Sequence, residues 1–315
     1  MKVVVTGGAG FIGANLCREL VAIPTVTQVV AVDDLSTGYE SNLQGLPVRL
    51  RVADVTQPGV LDDEIADADA VVHLAAIASV PQSVADPLIS HHANATGTLM
   101  VLESARRAGG RAQVIVASSS AVYGANPELP KRESMRAQPL SPYAVSKLAT
   151  ESYALAYRHC YAMDILALRF FNVYGPLQAV GHAYAAVIPA FLDRALAGRP
   201  LTIHGDGTQT RDFTYVGSVT ALICRAIVER TSHHDPVNLA FGSRSSLLEV
   251  VDLLEEQLGR PLPRVHTDVR AGDVAHSQAD SSTLHELFPG LKPEPLEAGL
   301  SATLAWFQSG ATSRS

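Results

Sequence analysis

Cysteine is scarce in this chain, and its three cysteines form no recognisable metal-binding or redox motif. Cys17, Cys160 and Cys224 are widely spaced, odd in number and without a Cys-x-x-Cys pair. We therefore expect buried, reduced thiols rather than disulfides. The sequence also lacks a His-Glu-x-x-His segment, and its two adjacent histidine pairs would point to different sides of a helix or strand. We predict no metal site.

Long apolar runs and tracts of basic residues are also missing. No segment approaches the ~20 apolar residues of a transmembrane helix, and the chain starts directly with a predicted strand, so we expect neither a membrane span nor a signal peptide. The 315 residues carry a net charge of −7 without a Lys/Arg tract. We therefore expect no nucleic-acid or membrane surface and a cytoplasmic location. A hydrophobic content of 47% is enough for one large or two ordinary domains.

Apolar runs recur along the first half of the chain and alternate with segments of helical character. The runs are continuous rather than alternating between apolar and polar residues, which is typical of strands buried on both faces. This pattern predicts an α/β fold with a doubly wound parallel sheet that is covered by helices on both faces. The predicted strands are Lys2–Thr6, Gln28–Val32, Val48–Ala53, Ala70–Ala75, Gln113–Ala117 and Ile165–Phe170.

A glycine-rich turn follows the first predicted strand. The sequence Gly8-x-Gly10-x-x-Gly13 has the spacing of the dinucleotide fingerprint and leads into a helical segment. Glycines permit the tight turn, let the backbone approach a pyrophosphate and let the helix pack on the strand, with the phosphates at the helix N-terminus. Asp33 follows Gly13 by 20 residues, at the end of the second strand, where a carboxylate binds the adenosine ribose. The turn predicts a Rossmann dinucleotide site.

The acidic loop that starts at Asp33 indicates which dinucleotide is bound. It contains Asp33 and Asp34, and the first arginine after it is Arg49. A 2′-phosphate would be repelled there, so we predict NAD rather than NADP as the cofactor. Asp54, just after the third strand, either lies near the adenine amino group or caps the next turn, and its spacing leaves both interpretations open.

Small and hydroxylated residues mark the ends of the fourth and fifth strands. His73-Leu74-Ala75-Ala76 would let a pyrophosphate pass close to the backbone, whereas His73 itself is more typical of a satisfied core histidine. Ser118-Ser119-Ser120 follows the fifth strand, at the carboxyl edge where open α/β sheets bind ligands. These hydroxyls can bind a sugar or can satisfy backbone groups of the loop.

Ser141-Pro142-Tyr143 begins a long helix that we expect to extend to about His159. Serine is a good N-cap, and proline fits the first helical position. Tyr143 then lies in the first turn, and Lys147 shares its face one turn later. A phenol titrates near pH ~10, so its use as a base requires a decrease in pKa of about 3 units. The Lys147 ammonium, the helix dipole and an oxidised nicotinamide would each favour the phenolate.

In this combination the chain resembles the extended short-chain dehydrogenases/reductases, and within them the nucleotide-sugar epimerase and dehydratase group. The resemblance extends over nearly the whole length. The matching segments are Thr6–Gly13, Asp33–Gly38, His73–Pro81, Asn94–Thr98, Ser118–Gly124, Ser141–Lys147, Arg169–Pro176, Gly205–Val216 and Arg270–Asp280.

The resemblance implies catalytic roles for three residues. Tyr143 would be the base, and Lys147 would hold the cofactor ribose and lower the pKa of Tyr143. Ser119 would contact the reacting hydroxyl, with Ser120 as the alternative. The implied reaction is a transient oxidation: a proton leaves the sugar 4-OH as hydride passes from C4 to NAD⁺, the 4-ketose turns over, and hydride returns to its other face.

The family pattern also implies which residues bind the cofactor and a UDP-sugar substrate. Arg211 and Arg270 would bind the diphosphate, the edge of Leu201–His204 the uracil, Asp273 the uridine ribose and Asn172 a phosphate or the base. The implied cofactor-binding residues are Gly7, Gly10, Phe11, Ile12, Asp33, Asp34, Ser36, Thr37, Gly38, Asp54, Val55, Leu74, Ala75, Ala76, Asn94, Ser118, Tyr143, Lys147 and Phe170. The implied substrate-binding residues are Ser79, Ser119, Ser120, Tyr143, Asn172, Ala186, Val187, Ile203, His204, Arg211, Arg270, Asp273 and Ser277.

Departures from the family pattern indicate the reaction. Dehydratases and decarboxylases of the family carry a carboxylate just after the catalytic hydroxyl residue, where this chain has Ser120-Ala121. We therefore predict NAD-dependent 4-epimerisation of a UDP-hexose. The alternatives are a dehydratase or decarboxylase of the same family and a non-catalytic NAD-sensing module. Ser277 is small at a position where small family residues admit N-acetylated sugars, and Leu177 replaces a common arginine, so glucose, N-acetylated and uronic acid forms stay open. The two arginines at the diphosphate do not identify uridine, so dTDP- and CDP-sugars stay open too.

The predicted domains are interleaved. Residues 1–172 and about 211–245 would form the NAD-binding domain, about 173–210 and 246–310 the nucleotide-sugar domain, and 311–315 a tail. By family analogy we expect a homodimer through the helices near Gly97–Ala108 and Tyr143–His159.

Three local signals complete the second half of the chain. Gly205-Asp206-Gly207 predicts a hairpin turn between two strands. Ser246-Leu247-Leu248-Glu249 predicts a capping box at the start of a helix that ends at Gly259. Val237–Phe241 predicts one more strand of the sheet.

Overall fold

The computed structural model describes residues 1–178, 186–269 and 276–309. Within these ranges the strands are β1 (Lys2–Thr6), β2 (Gln28–Asp33), β3 (Val48–Val52), β4 (Ala70–His73), β5 (Gln113–Ser119), β6 (Ile165–Phe170), β7 (Asn172–Tyr174), β8 (Leu201–His204), β9 (Thr210–Arg211), β10 (Phe213–Tyr215), β11 (Val237–Leu239), β12 (Ser245–Ser246) and β13 (Arg264–Thr267). The α-helices are α1 (Phe11–Leu20), α2 (Asp62–Ile65), α3 (Val80–Ala85), α4 (Pro87–His91), α5 (Gly97–Arg107), α6 (Pro142–Tyr161), α7 (Val187–Leu196), α8 (Val216–Val228), α9 (Leu247–Leu258), α10 (Ser282–Leu287) and α11 (Leu296–Gln308).

Seven of these strands form one sheet in the order β11-β6-β5-β4-β1-β2-β3. Each neighbouring pair in it is parallel. The order of winding reverses between β1 and β4, which opens a crevice at the carboxyl ends of these two strands. The predicted α/β fold with a doubly wound parallel sheet is confirmed.

Successive residues of β1 face two different hydrophobic cores. Val3 and Val5 face the core that includes residues of α1 and α8, whereas Val4 faces the core that includes residues of α5 and α6. Every side chain of β4 and β6 is buried. Helices cover both faces of the sheet, and the strand sequences are therefore continuously apolar.

The first six predicted strands agree with the structure to within two residues at each end. The largest extension is in β5, which continues to Ser119. Ser118 and Ser119 pair with Arg169 and Phe170 of β6, so the neighbouring strand supplies hydrogen-bond partners for residues that the apolar pattern did not include.

The hairpin predicted at Gly205-Asp206-Gly207 is wrong. The chain does turn there, with φ angles of 77° at Gly205 and 86° at Gly207. However, β8 pairs in parallel with β13, and β9 pairs antiparallel with β12. The glycines specify a change of direction, whereas both pairing partners come from later in the chain.

Two long helices begin as their sequence signals predict. At α9, Ser246 Oγ accepts a hydrogen bond from Glu249 N at 3.1 Å, and Ser246 N donates to the Glu249 carboxylate at 2.6 Å. Gly259 ends this helix in the left-handed conformation. At α6, Ser141 Oγ accepts from Ala144 N at 3.2 Å, and the helix extends to Tyr161, two residues beyond the predicted end.

A third hydrophobic core lies in the second half of the chain, where α7, β8, α9 and α11 pack together. None of the helices in the described ranges has both the length and the apolar composition needed to span a membrane. The same ranges contain no cluster of three or more His, Cys, Asp or Glu side chains arranged to hold a metal ion. All three cysteines are free thiols, and the expectation that they are buried is confirmed for Cys17 and Cys224 but wrong for Cys160, which is exposed near the end of α6.

Candidate active site

The glycine-rich turn lies tightly between the ends of β1 and β4. Gly7 has a φ of +68°, and a Cβ added to it would lie 2.7 Å from Ala75 N. A Cβ on Gly13 would lie 2.1 Å from Gly7 O. A side chain at Gly7 would push the turn away from the segment after β4, and one at Gly13 would push α1 away from the turn, so both positions require glycine.

The N-terminus of α1 faces this crevice without a side-chain cap. Gly10 is the N-cap residue, and the first helical hydrogen bond runs from Ala14 N to Gly10 O at 2.9 Å. The N–H groups of Phe11 and Ile12 precede that bond, so they are orphan donors at the positive end of the helix dipole. Such a helix end binds phosphate groups.

The Asp33 carboxylate lies at the end of β2 and is fixed by two backbone donors. Oδ2 accepts from Ala9 N and Oδ1 from Leu35 N, each at 2.9 Å. Burial raises the pKa of Asp33, and these bonds oppose that shift. A carboxylate has about four acceptor sites, so these backbone donors leave room for an incoming hydroxyl.

The loop after Asp33 holds its other acid through its own hydroxyl. Asp34 Oδ1 accepts from Ser36 N at 2.9 Å and from Ser36 Oγ at 2.6 Å. The guanidinium of Arg49, the first arginine after the loop, donates to Glu64, so it is not available for a 2′-phosphate. This arrangement agrees with the sequence-based preference for NAD.

Asp54 makes the capping contacts of the turn that follows β3, and its contact with the adenine stays a prediction. Asp54 Oδ1 accepts from both the backbone N and Oγ1 of Thr56 at 2.8 Å. The neighbouring Val55 is buried and packs in the core on the α5 side of the sheet. Two of the oxygen's lone pairs are therefore already used by the turn.

His73 links the two central strands to the helices above them. Its Nδ1 lies 2.7 Å from Thr6 Oγ1, and its Nε2 lies 3.1 Å from Thr98 Oγ1. Thr98 Oγ1 is also 3.0 Å from Thr150 Oγ1 of α6. Burial, with a smaller contribution from the positive charge of Lys147, lowers the pKa of His73 to about 3. The prediction of a satisfied core histidine is confirmed.

We expect His73→Asn to remove part of the acid sensitivity of the fold. Between the ordinary histidine pKa and about 3, the unfolded chain binds a proton that buried His73 does not, so stability is lost as the pH falls through that window. At pH 5 this loss amounts to ~2 kcal/mol. Denaturant unfolding measures the free energy of unfolding at pH 7 and at pH 5. The decrease between the two should be smaller in His73→Asn than in the wild type by that amount. The exposed His91 provides the control, because His91→Asn should keep the wild-type difference, and an unchanged difference in His73→Asn would contradict the prediction.

Asn94 fixes the segment that follows β4. It lies in a π-helical turn, His92–Thr96. Its Oδ1 accepts from Ile77 N at 2.7 Å, and its Nδ2 donates to Ser146 Oγ at 2.9 Å. The amide therefore ties the crevice wall formed by Leu74, Ala75 and Ala76 to α6.

Tyr143 and Ser119 meet at the carboxyl edge of the sheet. Tyr143 is in the first turn of α6, where its backbone N donates to Ser83 Oγ at 3.0 Å. Its phenol is hydrogen-bonded to Ser119. Ser119 Oγ also accepts from Ala121 N at 3.2 Å. Of the two alternatives that the sequence left open, Ser119 is the serine that the structure brings to Tyr143.

Lys147 lies one turn below Tyr143 and is buried. Its Nζ donates to Ala117 O at 2.8 Å, and burial lowers its pKa to about 8. Burial raises the pKa of Tyr143, and the bond to Ser119 only partly opposes that shift. Desolvation is therefore the largest influence on the Tyr143 pKa in the protein alone. The decrease that a base requires, which a bound nicotinamide would favour, stays a prediction.

The other hydroxyls predicted at this edge have different surroundings. Ser118 is buried, and its Oγ donates to Glu151 Oε2 at 2.7 Å. Ser120 is half-buried in the short turn that follows Ser119. Ser79 caps α3, with its Oγ accepting from Gln82 N at 3.2 Å.

The predicted substrate-binding residues lie beyond the sheet edge on several segments. Asn172 Nδ2 donates to Asp212 O at 3.5 Å. Arg211 donates to Thr210 O at 2.9 Å, and Ser277, which is buried, donates its backbone N to the same oxygen at 3.0 Å. Arg270 and Asp273 lie outside the described residues.

The remaining predicted positions lie on separate segments of the chain. Ala186 and Val187 begin α7, and Phe170 ends β6 with its side chain buried. Ile203 is buried in the third core, so only its backbone can contact a ligand. The His204 ring is hydrogen-bonded through Nδ1 to Thr267 Oγ1 at 2.8 Å. Thr37 and Gly38 lie in the acidic loop.

Comparison with known proteins identifies the family of this chain. A model of the NAD dependent epimerase/dehydratase family matches residues 3–240. The chain belongs to this family. The family resemblance found in the sequence is confirmed.

Relatives of this family member share its whole length. The UDP-glucose 4-epimerase of Mycolicibacterium smegmatis is 35% identical over an alignment of 318 positions, which covers 98% of this chain and 99% of the relative. The structure of the UDP-N-acetylglucosamine 4-epimerase of Methanobrevibacter ruminantium, in complex with UDP-N-acetylmuramic acid, is 36% identical with a TM-score of 0.92 and covers 98% of each chain. The structure of the Thermotoga maritima UDP-glucose 4-epimerase with UDP-glucose is 32% identical with a TM-score of 0.89, covering 99% of this chain and 100% of that one. A UDP-glucuronate 4-epimerase of Thermodesulfobacterium geofontis and a dTDP-glucose 4,6-dehydratase of Mycolicibacterium smegmatis are also relatives, at 30% and 31% identity.

The residues of the crevice fit the family's NAD cofactor. The uncapped N-terminus of α1 suits a pyrophosphate, and the anchored Asp33 carboxylate suits a ribose diol. The close approach of Gly7 to Ala75 leaves only backbone along the crevice floor. The sequence-based prediction of NAD is confirmed for the family to which the chain belongs.

Sequence reasoning missed one buried group of this family member. Arg169 donates to Glu151 through Nε at 3.0 Å and Nη2 at 2.7 Å, and both side chains are buried. The guanidinium also lies 4.8 Å from the centroid of the Tyr123 ring. A signal was present, because Glu151 is four residues beyond Lys147 and shares its helix face.

Proposed function

We propose that this protein interconverts two UDP-hexoses that differ in configuration at C4, with NAD as the resident cofactor. The observation that carries this proposal is the contact between Tyr143 and Ser119, with Lys147 one helical turn away. These groups lie at the same sheet edge as the glycine-rich turn. A nucleotide-sugar hydroxyl at this position would meet a base, a hydroxyl and a lysine together.

In the proposed reaction Tyr143 removes the proton of the sugar 4-OH, and Ser119 holds the same oxygen. NAD⁺, when bound, supplies the hydride acceptor and later the hydride donor. Lys147 would bind the cofactor ribose, and its ammonium would stabilise the Tyr143 phenolate. After the sugar has turned, Tyr143 returns the proton to the C4 oxygen, so the overall reaction is an isomerisation.

The charge around Ser119 supports epimerisation over dehydration or decarboxylation. The turn that follows it contains Ser120, Ala121 and Val122, which have no acid group. Glu151, which contacts the adjacent Ser118, is held by Arg169. Among the described residues next to Ser119, no free carboxylate is therefore available to remove a second proton from the sugar.

The proposed sugar-nucleotide half consists of about residues 173–210 and 246–310, and the proposed NAD half of residues 1–172 and about 211–245. The third hydrophobic core supports this division, because its helices α7, α9 and α11 all come from the first of these halves. We propose that Asn172, Arg211 and Ser277 bind the nucleotide sugar, together with Arg270 and Asp273. The small Ser277 would leave space for an N-acetyl group.

Proton NMR of the purified protein with UDP-glucose, UDP-N-acetylglucosamine or UDP-glucuronate tests the proposal. We expect at least one of these sugars to give its C4 epimer, recognised by the change of the C4 proton between axial and equatorial. A parallel sample with dTDP-glucose tests for the 4-keto-6-deoxy product of a dehydratase. A lack of epimer from all three UDP-sugars, or the dehydratase product alone, would contradict the proposal.

We also propose a homodimer formed through α5 and α6. On α6 the side chains of Val145 and Tyr153 are exposed, and the neighbouring α4 exposes Leu88 and Ile89. Exposed apolar side chains on adjacent helices are typical of a protein–protein contact.

We expect Val145→Arg to weaken this dimer at least ~10-fold, because a charged side chain would be buried at its centre. Sedimentation velocity at several concentrations should show wild-type protein at twice the mass of one chain and the variant at lower mass. Val228 is similarly exposed at the end of α8, and Val228→Arg should sediment like the wild type. A wild-type protein that is monomeric throughout would rule the dimer out.

A further inference from the structure

Asp212 is a fully buried acid that the proposed reaction does not use. It lies between β9 and β10, and its side chain has no solvent exposure. Oδ1 accepts from Ser243 Oγ at 2.8 Å, and Oδ2 accepts from Gly242 N and from Ala279 N, each at 3.1 Å. One carboxylate therefore joins three separate segments of the chain.

These three segments carry the substrate side of the site. Arg211 immediately precedes Asp212. Gly242 and Ser243 lead into β12, where Ser245 pairs with Arg211. Ala279 follows Ser277, whose backbone N donates to Thr210 O at 3.0 Å. The peptide that carries Arg211 is thus held on one side by β12 and on the other by the segment with Ser277.

The groups around Asp212 are hydrogen-bond donors, which a carboxylate can satisfy because it only accepts. Among the described residues, the groups bonded to it are backbone N–H groups and a serine hydroxyl, and all of them donate. A carboxylate is acceptor-only and can accept all of these bonds, including one from the backbone N of Ser243. The NH₂ of an asparagine would face a backbone N–H in either orientation, that of Ser243 or those of Gly242 and Ala279. Burial raises the pKa of Asp212 to about 6, and the hydrogen bonds oppose that shift.

We propose that Asp212 is a positioning residue of the nucleotide-sugar site, which fixes Arg211 and Ser277 relative to one another. The inference rests on the proposed function, in which Arg211 and Ser277 bind the nucleotide sugar. When one acceptor oxygen is lost, β12 and the segment from Ser277 to Ala279 are no longer held to the same point. The nucleotide sugar then binds a less well-ordered site, while Tyr143, Ser119 and Lys147, on β5 and α6, keep their geometry.

The test is Asp212→Asn, with Asp280→Asn as a matched control from the same segment. Asp280 uses a single oxygen, Oδ1, to accept from Ser282, and asparagine keeps that acceptor. We expect Asp212→Asn to raise KM for the sugar that the wild type epimerises at least ~10-fold, with kcat changed less than ~3-fold. Calorimetry with UDP should show a similar loss of affinity, and the bound NAD content should be unchanged. The control should match the wild type in all three measurements.

A second variant keeps the test valid if Asp212→Asn does not fold. Ser243→Ala removes one donor at an exposed residue and leaves the carboxylate in place. It should raise KM in the same direction by ~2- to 5-fold.

Two outcomes would overturn the inference: folded Asp212→Asn with unchanged KM and UDP affinity, or a variant in which kcat and NAD content fall while KM does not. A wild type that neither binds UDP nor converts any UDP-sugar would instead defeat the proposed function.

Discussion

Replacement of Tyr143 by phenylalanine should lower kcat by ~10³-fold or more and leave NAD bound. The change removes only the phenol oxygen, which is the atom that contacts Ser119. The ring keeps its place in the first turn of α6, whose cap is formed by Ser141 and whose backbone is held by Ser83. The fold and both binding sites should therefore persist while the proton acceptor is lost.

Three measurements on Tyr143→Phe separate chemistry from binding. Turnover is followed by proton NMR with the sugar that the wild type converts, NAD content is measured after denaturation, and UDP affinity is measured by calorimetry. Tyr123→Phe is the matched control: Tyr123 is buried nearby, and its OH donates to Asn238 Oδ1 at 2.6 Å. The control should lose ~1–2 kcal/mol of stability but keep its turnover. If Tyr143→Phe turned over within tenfold of the wild type, another group would have to be the base.

The pKa values explain why this effect should be large. In the protein alone, burial raises the pKa of Tyr143 and lowers that of Lys147 to about 8. Both shifts have one cause, since the two groups lose hydration in the same crevice. Tyr143 can therefore act as a base only when further positive charge in the crevice lowers its pKa. Because the phenol is buried, water cannot readily take its place as the proton acceptor in the variant.

The parts of the site that the sequence predicted depend on local chemistry. The glycine spacing specifies the turn after β1, because Gly7 and Gly13 face backbone atoms too close for a Cβ. Ser141 and Pro142 specify the start of α6, and the helical period then places Lys147 on the same face as Tyr143. Each of these inferences needs only residues that are near one another in the chain.

The predictions that failed depended on residues far apart in the chain. The turn at Gly205 was identified, but β8 pairs with β13, which begins at Arg264, and nothing in the turn specifies that partner. The direction of the Tyr143 pKa shift in the protein alone depends on how much water the fold excludes, which spacing does not reveal. The sequence also did not distinguish Ser119 from Ser120, because which serine reaches Tyr143 depends on where the pairing of β5 with β6 ends.

The buried ion pair between Glu151 and Arg169 also joins residues on different elements, α6 and β6. Among the variants considered, its disruption should lower the free energy of unfolding most. Glu151→Ala leaves the guanidinium of Arg169 buried beside the Tyr123 ring. Breaking such a pair from one side costs ~3–5 kcal/mol, because the remaining charge is desolvated without compensation. Urea unfolding at pH 7 should show this loss in the free energy of unfolding. Glu229→Ala breaks a more exposed pair with Arg225 and should cost no more than ~0.5 kcal/mol.

A double variant distinguishes an uncompensated charge from simple loss of packing. Glu151→Met combined with Arg169→Met removes both charges and keeps similar volume, so it should be less destabilised than either single variant. In the double variant the Ser118 hydroxyl loses Glu151 as an acceptor but retains Lys147 O, which lies 3.3 Å from Ser118 Oγ. If the double variant were instead destabilised by the sum of the single changes, the ion pair would not be the cause. The cost would then lie in the fit of these side chains between β6 and α6, the helix that carries Tyr143 and Lys147.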